Sequence, residues 1–293
     1  MPLDNLCPSS AYLVQALNDQ LIVLSEDTIS SYGNWCKKDT EALFEFNAQA
    51  NRQLFTFRLG AETTRLEVHV PPEISIQLFD TASSHQQVYF VDQSACLQHV
   101  APANSVDYQF NLLNDAQVTH LTYGLNPHDC AEQVQVCLAG ENARVDWRSC
   151  FVCDGSNVST RIRIEHEKPH TYSNCCVKTV LNRAAQFTFS GDVTILPGAK
   201  YAQSTQNNFN YLLSGDARVV SSPKLNIHNK YVSASHGSAT QKLDEAALFY
   251  LQSRGLSYVQ AQQVLLQGFL RPKYEHLSFI APFMDALLSN CHG

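Results

Sequence analysis

The segment Val158-Ser-Thr160-Arg-Ile162-Arg-Ile164 alternates apolar or β-branched side chains with polar ones. A period of two directs one face of a β-strand into a core and the other face toward solvent. The same alternation recurs between residues 53 and 236, for example at 66–70 and 106–110. About thirteen short strands follow one another with no long helix between them, which excludes a βαβ protein. A sandwich, a barrel and a solenoid remain open.

A weak internal repeat favours the solenoid. Asp115-Ala-Gln-Val118, Asn142-Ala-Arg-Val145 and Asp216-Ala-Arg-Val219 share a turn-forming residue, Ala, a polar residue and Val, and Ala185-Gln-Phe187 is a looser copy. The shared alanines, at positions 116, 143, 185 and 217, are unevenly spaced. Such spacing fits stacked strand-turn-strand units with irregular loops inserted between them. Because the period is not fixed, the pattern alone favours a β-helix only slightly over a sandwich.

Toward the N-terminus, apolar residues recur at helical spacing. Leu13, Leu17 and Leu21 predict a helix over about residues 10–24, and a second helix is predicted near residues 40–50. The predicted organisation is a short N-terminal helical segment, a β-helix core domain and a C-terminal helical segment. Their predicted limits are residues 1–50, 51–236 and 237–293.

The chain after residue 236 is predicted to be helical. Asp244 and Glu245 open a first helix, where carboxylates stabilise the amino-terminal dipole, and Gly255 ends it. Ser257 and Gln260 have the spacing of a capping box that opens a second helix. Helices at the end of a stacked-strand body cover an exposed edge and can present an outer face to a partner. Helices are predicted over residues 243–254, 258–271 and 282–290.

Charge is sparse and scattered along the chain. The 293 residues include 20 Lys and Arg against 27 Asp and Glu, which gives a formal net charge of −7. No basic stripe is visible, so we expect no nucleic-acid partner. The first ten residues lack a charged region followed by an apolar run, and residues 21–24 are too short to span a bilayer. We therefore expect a cytoplasmic protein without a membrane partner.

Ten cysteines need an explanation in such a protein. Disulfides are rare in a reducing compartment, and a free cysteine usually behaves as a small buried hydrophobe. Cys150 and Cys153 have metal-ligand spacing, and Cys175 and Cys176 lie downstream. Three residues along a strand direct the thiols of Cys150 and Cys153 to opposite faces, however. We interpret this pair as structural and not as a zinc or cluster site.

His166 and His170 are a second possible metal pair. In an extended segment their spacing puts them on one face about 13 Å apart, which is too far to share an ion. A structural role is therefore favoured. Pro169 breaks a strand, and the side chains of Thr171, Ser173 and Asn174 are predicted to bond the turn backbone.

Two stretches resemble the SufB/SufD family of iron–sulfur cluster assembly proteins, and its SufD-like members in particular. The first is His166-Glu-Lys-Pro-His-Thr-Tyr-Ser-Asn174, which is similar to the family's His-x-x-Pro-His-Thr-x-Ser-Asn strand. The second leads from Gln206-Asn-Asn208 through Ser235-His-Gly-Ser-Ala-Thr240 to Leu248-Phe-Tyr-Leu251. Order and spacing match over residues 156–270, roughly two fifths of the chain on its C-terminal side.

The resemblance implies a right-handed parallel β-helix flanked by short N-terminal helices and a C-terminal helical segment. It also implies a non-enzymatic scaffold subunit of the SUF system, in which a SufB-like subunit pairs β-helix to β-helix and the SufC ATPase docks on the C-terminal helices. An iron–sulfur cluster is then expected only transiently within the complex, with none bound stably by this chain alone. In isolation, the same edge is expected to allow a homodimer.

His236 is the sharpest candidate site residue. Small neighbours, Ser235 and Gly237, leave its imidazole accessible at the predicted junction between the last strand and the C-terminal helices, and imidazole can ligate iron. The matching histidine of SufD-like proteins faces SufB, which implies that His236 acts in cluster assembly and as a metal ligand at that interface. The essential cysteine of SufB-like chains aligns near Phe209, where no thiolate is available.

Contacts with SufC are predicted at Leu248, Tyr250, Arg254 and Phe269 of the C-terminal helices. The sequence contains no G-x-x-x-x-G-K phosphate loop and no G-x-S-x-G elbow, so another subunit would handle ATP. One alternative is a β-helix carbohydrate-active lyase or hydrolase, which would need clustered carboxylates that the strand zone does not offer. Another is a purely structural solenoid, which would not need the motif around His236.

Overall fold

A computed structural model describes residues 21–24, 32–38, 41–57, 63–79 and 85–270 of the chain. They form about seven turns of a parallel β-solenoid, which confirms the predicted β-helix. Each full turn contributes one strand to each of two sheets, and two helices follow the last strand. The strands are β1 (Leu21–Leu24), β2 (Gly33–Lys38), β3 (Glu41–Phe46), β4 (Leu54–Phe57), β5 (Arg65–Val70), β6 (Ser75–Phe79), β7 (Gln86–Val91), β8 (Cys96–Pro102), β9 (Asp107–Leu112), β10 (Gln117–Leu125), β11 (Cys130–Leu138), β12 (Arg144–Asp154), β13 (Asn157–His166), β14 (Tyr172–Asn182), β15 (Gln186–Ile195), β16 (Gln203–Leu212), β17 (Arg218–Ile227) and β18 (Ser233–Lys242), and the helices are α1 (Glu245–Ser253) and α2 (Tyr258–Leu270).

Successive turns stack through parallel hydrogen-bond ladders. One sheet has the order β1-β4-β6-β8-β10-β12-β14-β16-β18, and the other has the order β17-β15-β13-β11-β9-β7-β5-β3-β2. Among the described strands, only β2 and β3 pair in antiparallel fashion. In the middle of the stack, Cys96 is the register partner of Gln117. Near its end, Tyr172 is the partner of Gln203, and these two residues are farther apart in the sequence. Later turns therefore contain more residues, and the sequence shows no fixed period.

Alternate residues of each strand fill the interior of the solenoid. In β13, every second residue from Val158 to His166 is buried, as the alternation predicts. Large aromatic side chains occupy the same interior, and Phe110, Trp147 and Phe187 are fully buried. Full burial of a side chain of this size contributes about 1.5–3 kcal/mol of transfer free energy. The continuous core is therefore the main source of stability.

One residue in each of several successive turns adopts a left-handed backbone conformation. The N–H of one such residue donates to a carbonyl of the following turn, as from Asp115 to Glu141 over 2.8 Å and from His170 to Lys200 over 2.9 Å. These bonds fix the spacing of neighbouring turns outside the sheets. The residues of this column are Glu73, Ser94, Asp115, Asn142, His170 and Tyr201, with φ between 57° and 62°.

The sequence repeat reflects two columns of turns. Ala116 and Ala143 precede strands of the sheet that ends in β18, whereas Ala185 and Ala217 precede strands of the sheet that ends in β17. The step within each of these two pairs is therefore a single turn, and the longer step from Ala143 to Ala185 is about one and a half turns. All four alanines are buried, with exposures of 0–6%. A small side chain is needed here because adjacent turns approach closely.

The helices begin and end where capping chemistry predicts. The Asp244 carboxylate accepts a hydrogen bond of 2.9 Å from the first turn of α1, and Gly255 follows the helix with φ +96°. Ser257 and Gln260 form the predicted capping box, with Gln260 Oε1 accepting from the Ser257 N–H at 2.9 Å and Ser257 Oγ accepting from the Gln260 N–H at 3.3 Å. The helix predicted over 282–290 lies outside the described residues. Within those residues, no helix is long and apolar enough to cross a membrane.

At both ends of the β-helix the strands extend further than predicted. The helix predicted near residues 40–50 is wrong for the described residues, because Glu41–Phe46 form β3 and Ala48–Ala50 form a single 3₁₀ turn. Phe44 and Phe46 are buried with the period of a strand, so packing in the core overrode the helical spacing. Most of the helix predicted over residues 10–24 lies outside the described residues, and its last four residues form β1. At the other end, β18 runs to Lys242.

Replacing Ala185 by leucine should destabilise the protein by about 1–3 kcal/mol, because the larger side chain has no space between adjacent turns. The preceding residue, Ala184, is exposed. Ala184→Leu is therefore a matched control and should change the free energy of unfolding by less than about 0.5 kcal/mol. Urea unfolding followed by circular dichroism measures both variants. Equal effects would contradict the close packing of turns at Ala185.

Candidate functional site

Within the described part of the chain, the last turn of the solenoid has no strand on its outer edge. β17 and β18 end the two sheets, and no strand in the described part of the chain pairs with their outer edges. Val220 is 57% exposed and Ile227 is 44% exposed. The N–H of Ser233 donates to Ala202 O over 3.0 Å, so the N–H groups of alternate residues, His236 among them, point toward the free edge. A free edge of this length is a template for another strand.

His236 lies within β18 and not at the predicted junction with the helices, because the strand continues for six residues after it. Its side chain is exposed, as its small neighbours predict. Its register partner is Gln206 of β16. The side chain of Ser238 bonds to a residue of the opposite sheet, and that of Thr240 bonds to a buried side chain of the turn below. Alternation along the strand therefore directs His236 to the same inner face, at the open end of the β-helix.

The turn beneath His236 is lined with buried polar side chains. Asn210 Nδ2 donates to Asn208 Oδ1 over 2.9 Å, and Thr179 Oγ1 donates to Asn210 Oδ1 over 2.6 Å. Ser173 Oγ donates to Ser204 Oγ over 2.8 Å. All five side chains are at most 3% exposed. The solenoid interior therefore becomes polar toward its open end.

A second set of buried polar side chains crosses the solenoid several turns below. The Nδ1 atoms of His99 and His120 share a hydrogen bond of 2.7 Å, and His120 Nε2 lies 2.8 Å from Thr122 Oγ1. Thr122 Oγ1 lies 2.7 Å from Glu132 Oε1. At the other end, Tyr89 Oη lies 3.2 Å from His99 Nε2. These five side chains form one continuous hydrogen-bonded chain between the two sheets.

Burial shifts the pKa values of two side chains in this hydrogen-bonded chain. Desolvation raises the pKa of Glu132 to about 7, and desolvation together with the neighbouring His99 lowers the pKa of His120 well below its usual value. A neutral histidine has one N–H, so in the bond between the two Nδ1 atoms one ring donates and the other accepts. Thr122 Oγ1 donates to Glu132 Oε1, and at the opposite end Tyr89 Oη donates to Gln87 Oε1 over 2.6 Å. Sequence reasoning missed this chain, although His99 and His120 are separated by one full turn and are register partners.

The seven cysteines whose side chains the structure describes are free thiols. Burial raises the pKa of Cys130, Cys137 and Cys153 to about 12, and the thiolate is the reactive form. Cys150 Sγ faces the carbonyl of Leu270 outside the sheet, whereas Cys153 packs in the core, which confirms their predicted opposite orientation. Within the described residues, no group of three or more His, Cys, Asp or Glu side chains could hold a metal ion.

The strand ends at His166, before the chain reaches His170, so the extended geometry predicted for this pair is wrong. β13 ends at His166, and the chain turns before His170. The buried His166 ring bonds through Nδ1 to Thr171 Oγ1 at 2.8 Å and through Nε2 to Ser173 Oγ at 2.9 Å. Burial lowers the pKa of His166 to about 4. Thr171 Oγ1 donates to Lys168 O over 3.0 Å, which confirms the bond to the turn backbone predicted for Thr171. The same prediction is wrong for Ser173 and Asn174, whose side chains donate to Ser204 and Asp146 of neighbouring turns.

α2 is anchored to the outer face of the sheet that ends in β18. The ring of Phe269 packs edge-on against Tyr211 with 4.4 Å between centroids, and Lys178 Nζ donates to Phe269 O over 2.5 Å. Leu270 is buried against Val180. The helix therefore covers a face of the sheet and leaves the edge of β18 uncovered.

Two of the four residues predicted to contact an ATPase are exposed. Tyr250 is 56% exposed, and Arg254 is also exposed, with its guanidinium 5.3 Å from the Tyr250 ring centroid. Leu248 is 6% exposed, and Phe269 packs against the sheet. An apolar outer surface nevertheless exists on the two helices. It consists of Phe249, Tyr250, Tyr258, Val259 and Val264, each at least 46% exposed.

Phe209, at the position predicted to correspond to an essential cysteine of SufB-like chains, lies half-buried in β16. Its register partners are Lys178 of β14 and Ala239 of β18. Neither partner carries a thiol. A thiolate ligand is therefore missing from this position and from both adjacent positions of the ladder.

The fold and this site define a class of protein: a parallel β-helix that, in its described part, has an open, polar end and an exposed apolar surface on its helices. The chain belongs to the SufBD core family. The sequence model described as SUF system FeS cluster assembly, SufBD core domain, matches residues 48–269. The family predicted from the motifs around His166 and His236 is thereby confirmed.

Curated relatives agree with this assignment. The chain is 28% identical over 201 residues to an iron–sulfur cluster assembly SufBD family protein of Mycobacterium leprae. The aligned region covers 66% of this chain and 50% of the relative. It is 31% identical over 198 residues to a protein of the same description from Mycobacterium tuberculosis, with coverage of 62% and 50%. It is 28% identical over 192 residues to the iron–sulfur cluster assembly protein SufD of Escherichia coli, with coverage of 61% and 44%. The chain spans about half the length of these relatives.

Glu132→Gln should remove the contribution of this carboxyl group to the pH dependence of the free energy of unfolding. The folded-state pKa of Glu132 is raised, so between pH 4.5 and 7 the folded protein keeps a proton that the unfolded chain releases. Wild-type stability should therefore fall through this window by up to about 3 kcal/mol relative to the variant. Urea unfolding from about pH 4.5 to pH 8 measures the difference. Glu141→Gln, at an exposed turn, is the control, and a difference for Glu132→Gln that stays constant with pH would contradict the prediction.

Proposed function

We propose that this protein is a non-enzymatic, SufD-like scaffold subunit of cytoplasmic iron–sulfur cluster assembly, which handles the cluster as cargo and not as a resident cofactor. The observation that carries the proposal is the uncovered edge of β18, with the exposed His236 in it, in a chain of the SufBD core family. The family match does not favour a carbohydrate-active enzyme. The raised thiol pKa values give further support to a role without covalent catalysis.

The partner at the open end would be a second β-helix, of the SufB-like type. β17 is the poorer template, because Pro223 stands in its middle. The N–H of Arg218 donates to Ala185 O, so the position of Pro223 is one whose N–H would point to the free edge. β18 contains no proline and offers its alternate N–H groups without interruption. We therefore assign the pairing to β18, by addition of a strand to its edge. In isolation, the same edge would allow a homodimer.

Within such a pair, the partner would have to supply thiolate ligands. Phe209 offers no sulfur, and the thiols of Cys175 and Cys176 have raised pKa values because they are buried. His236 would contribute an imidazole, which can ligate iron beside thiolates or carry a proton. The cluster would thus exist only transiently at the shared interface, with no stable cluster on the isolated chain.

The exposed apolar surface of α1 and α2 would dock the SufC-like ATPase. Large apolar and aromatic side chains are the usual anchors of an interface, and Phe249 is 74% exposed. Tyr250 and Arg254 extend this surface, whereas Leu248 is buried and Phe269 packs against the sheet. ATP binding would reside wholly in the partner.

His236→Ala should reduce cluster delivery by about tenfold or more while leaving folding unchanged. An exposed side chain between small neighbours has little packing to lose, so the cost in stability should be about 1 kcal/mol or less. His228→Ala, at another exposed histidine, is the matched control. The assay uses a complex reconstituted with SufB-like and SufC-like partners and scores melting temperature, complex mass and activation of an apo-target. Full activation by an intact His236→Ala complex would remove His236 from the mechanism.

The double variant Phe249→Ala and Val259→Ala should weaken ATPase binding by at least about tenfold, because truncating interface anchors commonly costs about 1–2 kcal/mol or more. Both side chains are largely exposed, so circular dichroism should be unchanged. Gln252→Ala, exposed on α1, is the control. Calorimetric titration with the ATPase measures the affinity, and wild-type affinity in the double variant would move the docking site elsewhere.

A further inference from the structure

One corner of the solenoid carries a column of exposed aromatic rings near the open end. The His170 and Tyr201 rings stack with 5.0 Å between centroids, and the Tyr201 and Tyr231 ring centroids are 6.4 Å apart. Tyr201 is 56% exposed and Tyr231 is 52% exposed. The N–H of Tyr201 donates to Tyr231 O over 2.7 Å, just as that of His170 donates to the turn that contains Tyr201. The rings therefore come from three successive turns, and the column reaches the last one described.

The backbone at Tyr201 is unfavourable for its own side chain. Its φ is +62°, in the left-handed region that asparagine and aspartate adopt more readily than a bulky aromatic residue. Asp115 and Asn142 occupy the same column of turns lower in the stack. Stacking on His170 covers part of the Tyr201 side chain, but more than half of it remains exposed. Folding alone does not require a tyrosine here, and exposed rings of this kind are typical of binding surfaces.

Three exposed lysines accompany the rings. Lys200 and Lys230 directly precede the two tyrosines, and Lys168 lies two residues before the histidine. Within the described residues, none of the three forms an ion pair, and Lys230 Nζ lies 5.1 Å from the Tyr231 ring centroid. Neighbouring turns are about 4.8 Å apart, so the backbones of the three lysines span about 10 Å, roughly one Debye length. The corner is therefore locally basic in a chain with a net charge of −7.

Hydrogen bonds hold this surface in place. Asn229 Nδ2 donates to Pro197 O over 2.8 Å, and Asn229 Oδ1 accepts from the Tyr231 N–H over 2.9 Å. These bonds fix the loop between β17 and β18 to the turn below. The carboxylate next to Lys168 in the sequence, that of Glu167, accepts from the Cys137 thiol. The surface is thus preorganised, which lowers the entropic cost of binding.

We propose that this basic aromatic corner binds an acidic segment of a partner protein. Ammonium groups attract carboxylates, and tyrosine rings provide contact area at low entropic cost. The net charge of −7 opposes nucleic acid or an anionic membrane, whose charge extends over a large area, whereas a short acidic segment meets only the local charge. The inference goes beyond the proposed function, because it involves neither the edge of β18 nor a cluster. The residues of the corner are Lys168, His170, Lys200, Tyr201, Lys230 and Tyr231.

The test is fluorescence anisotropy of the isolated full chain with a labelled decapeptide of alternating glutamate and valine. The wild type should bind this peptide at about 0.05 M salt and lose most of its affinity at about 0.5 M, because salt screens the attraction. The double variant Lys200→Gln and Lys230→Gln should lower the affinity by about fivefold or more. The double variant Lys224→Gln and Lys242→Gln is the matched control. It removes the same charge from exposed positions outside the corner and should leave the affinity unchanged.

Tyr201→Asn separates binding from folding. Asparagine adopts the left-handed conformation readily, so the melting temperature should stay the same or rise, whereas the affinity for the peptide should fall about fivefold. Wild-type affinity in this variant or in the Lys200 and Lys230 variant would overturn the inference. So would a wild-type protein that ignores the peptide or binds its glutamine counterpart equally well. Tighter binding of a single-stranded oligonucleotide or of phosphatidylserine vesicles, lost in the same variants, would also overturn it by assigning the corner to another class of ligand.

Discussion

The register of the parallel ladders determines what each side chain of this protein can contact. Successive turns are bonded residue to residue, so an inward-facing side chain lies directly on an inward-facing side chain of the turn below. A shift of one residue in the register would exchange the inward-facing and outward-facing side chains of a whole strand. Six residues that are successive register partners in six strands of one sheet form such a column of side chains. Its members are His99, His120, Trp147, Cys175, Gln206 and His236.

The environment changes along this column. In the middle of the solenoid, the His120 ring stacks on Trp147 with 3.6 Å between centroids, and both are fully buried. Water is excluded there, so the polar groups satisfy one another and the carboxyl of Glu132 has a raised pKa. At the last turn the column ends at an exposed histidine above an unpaired amide. The same architecture thus combines a sealed interior with an exposed polar end.

The position of α2 explains why that end stays accessible. The helix packs on the outer face of the sheet through Phe269 and Leu270, which contact side chains of β14 and β16. It therefore protects the face of the sheet without pairing with its edge. Two separate surfaces result, the free edge of β18 and the exposed apolar side of the helices. The proposed scaffold function, with two different partners held at once, would need such a separation.

The sequence alone determined the strand content, the two C-terminal helices and their caps, and the family. Each of these depends on local pattern: alternation, the Ser257–Gln260 capping box, and the motifs around His166 and His236. It did not determine the strands before residue 51, because the helical spacing of short apolar segments is overridden when a neighbouring strand offers a ladder. Nor could it show that Gln206 and His236 are register partners or that Glu132 accepts a hydrogen bond from Thr122. Those pairings depend on turn lengths that vary along the solenoid, and only the stacked structure sets which residues share a column.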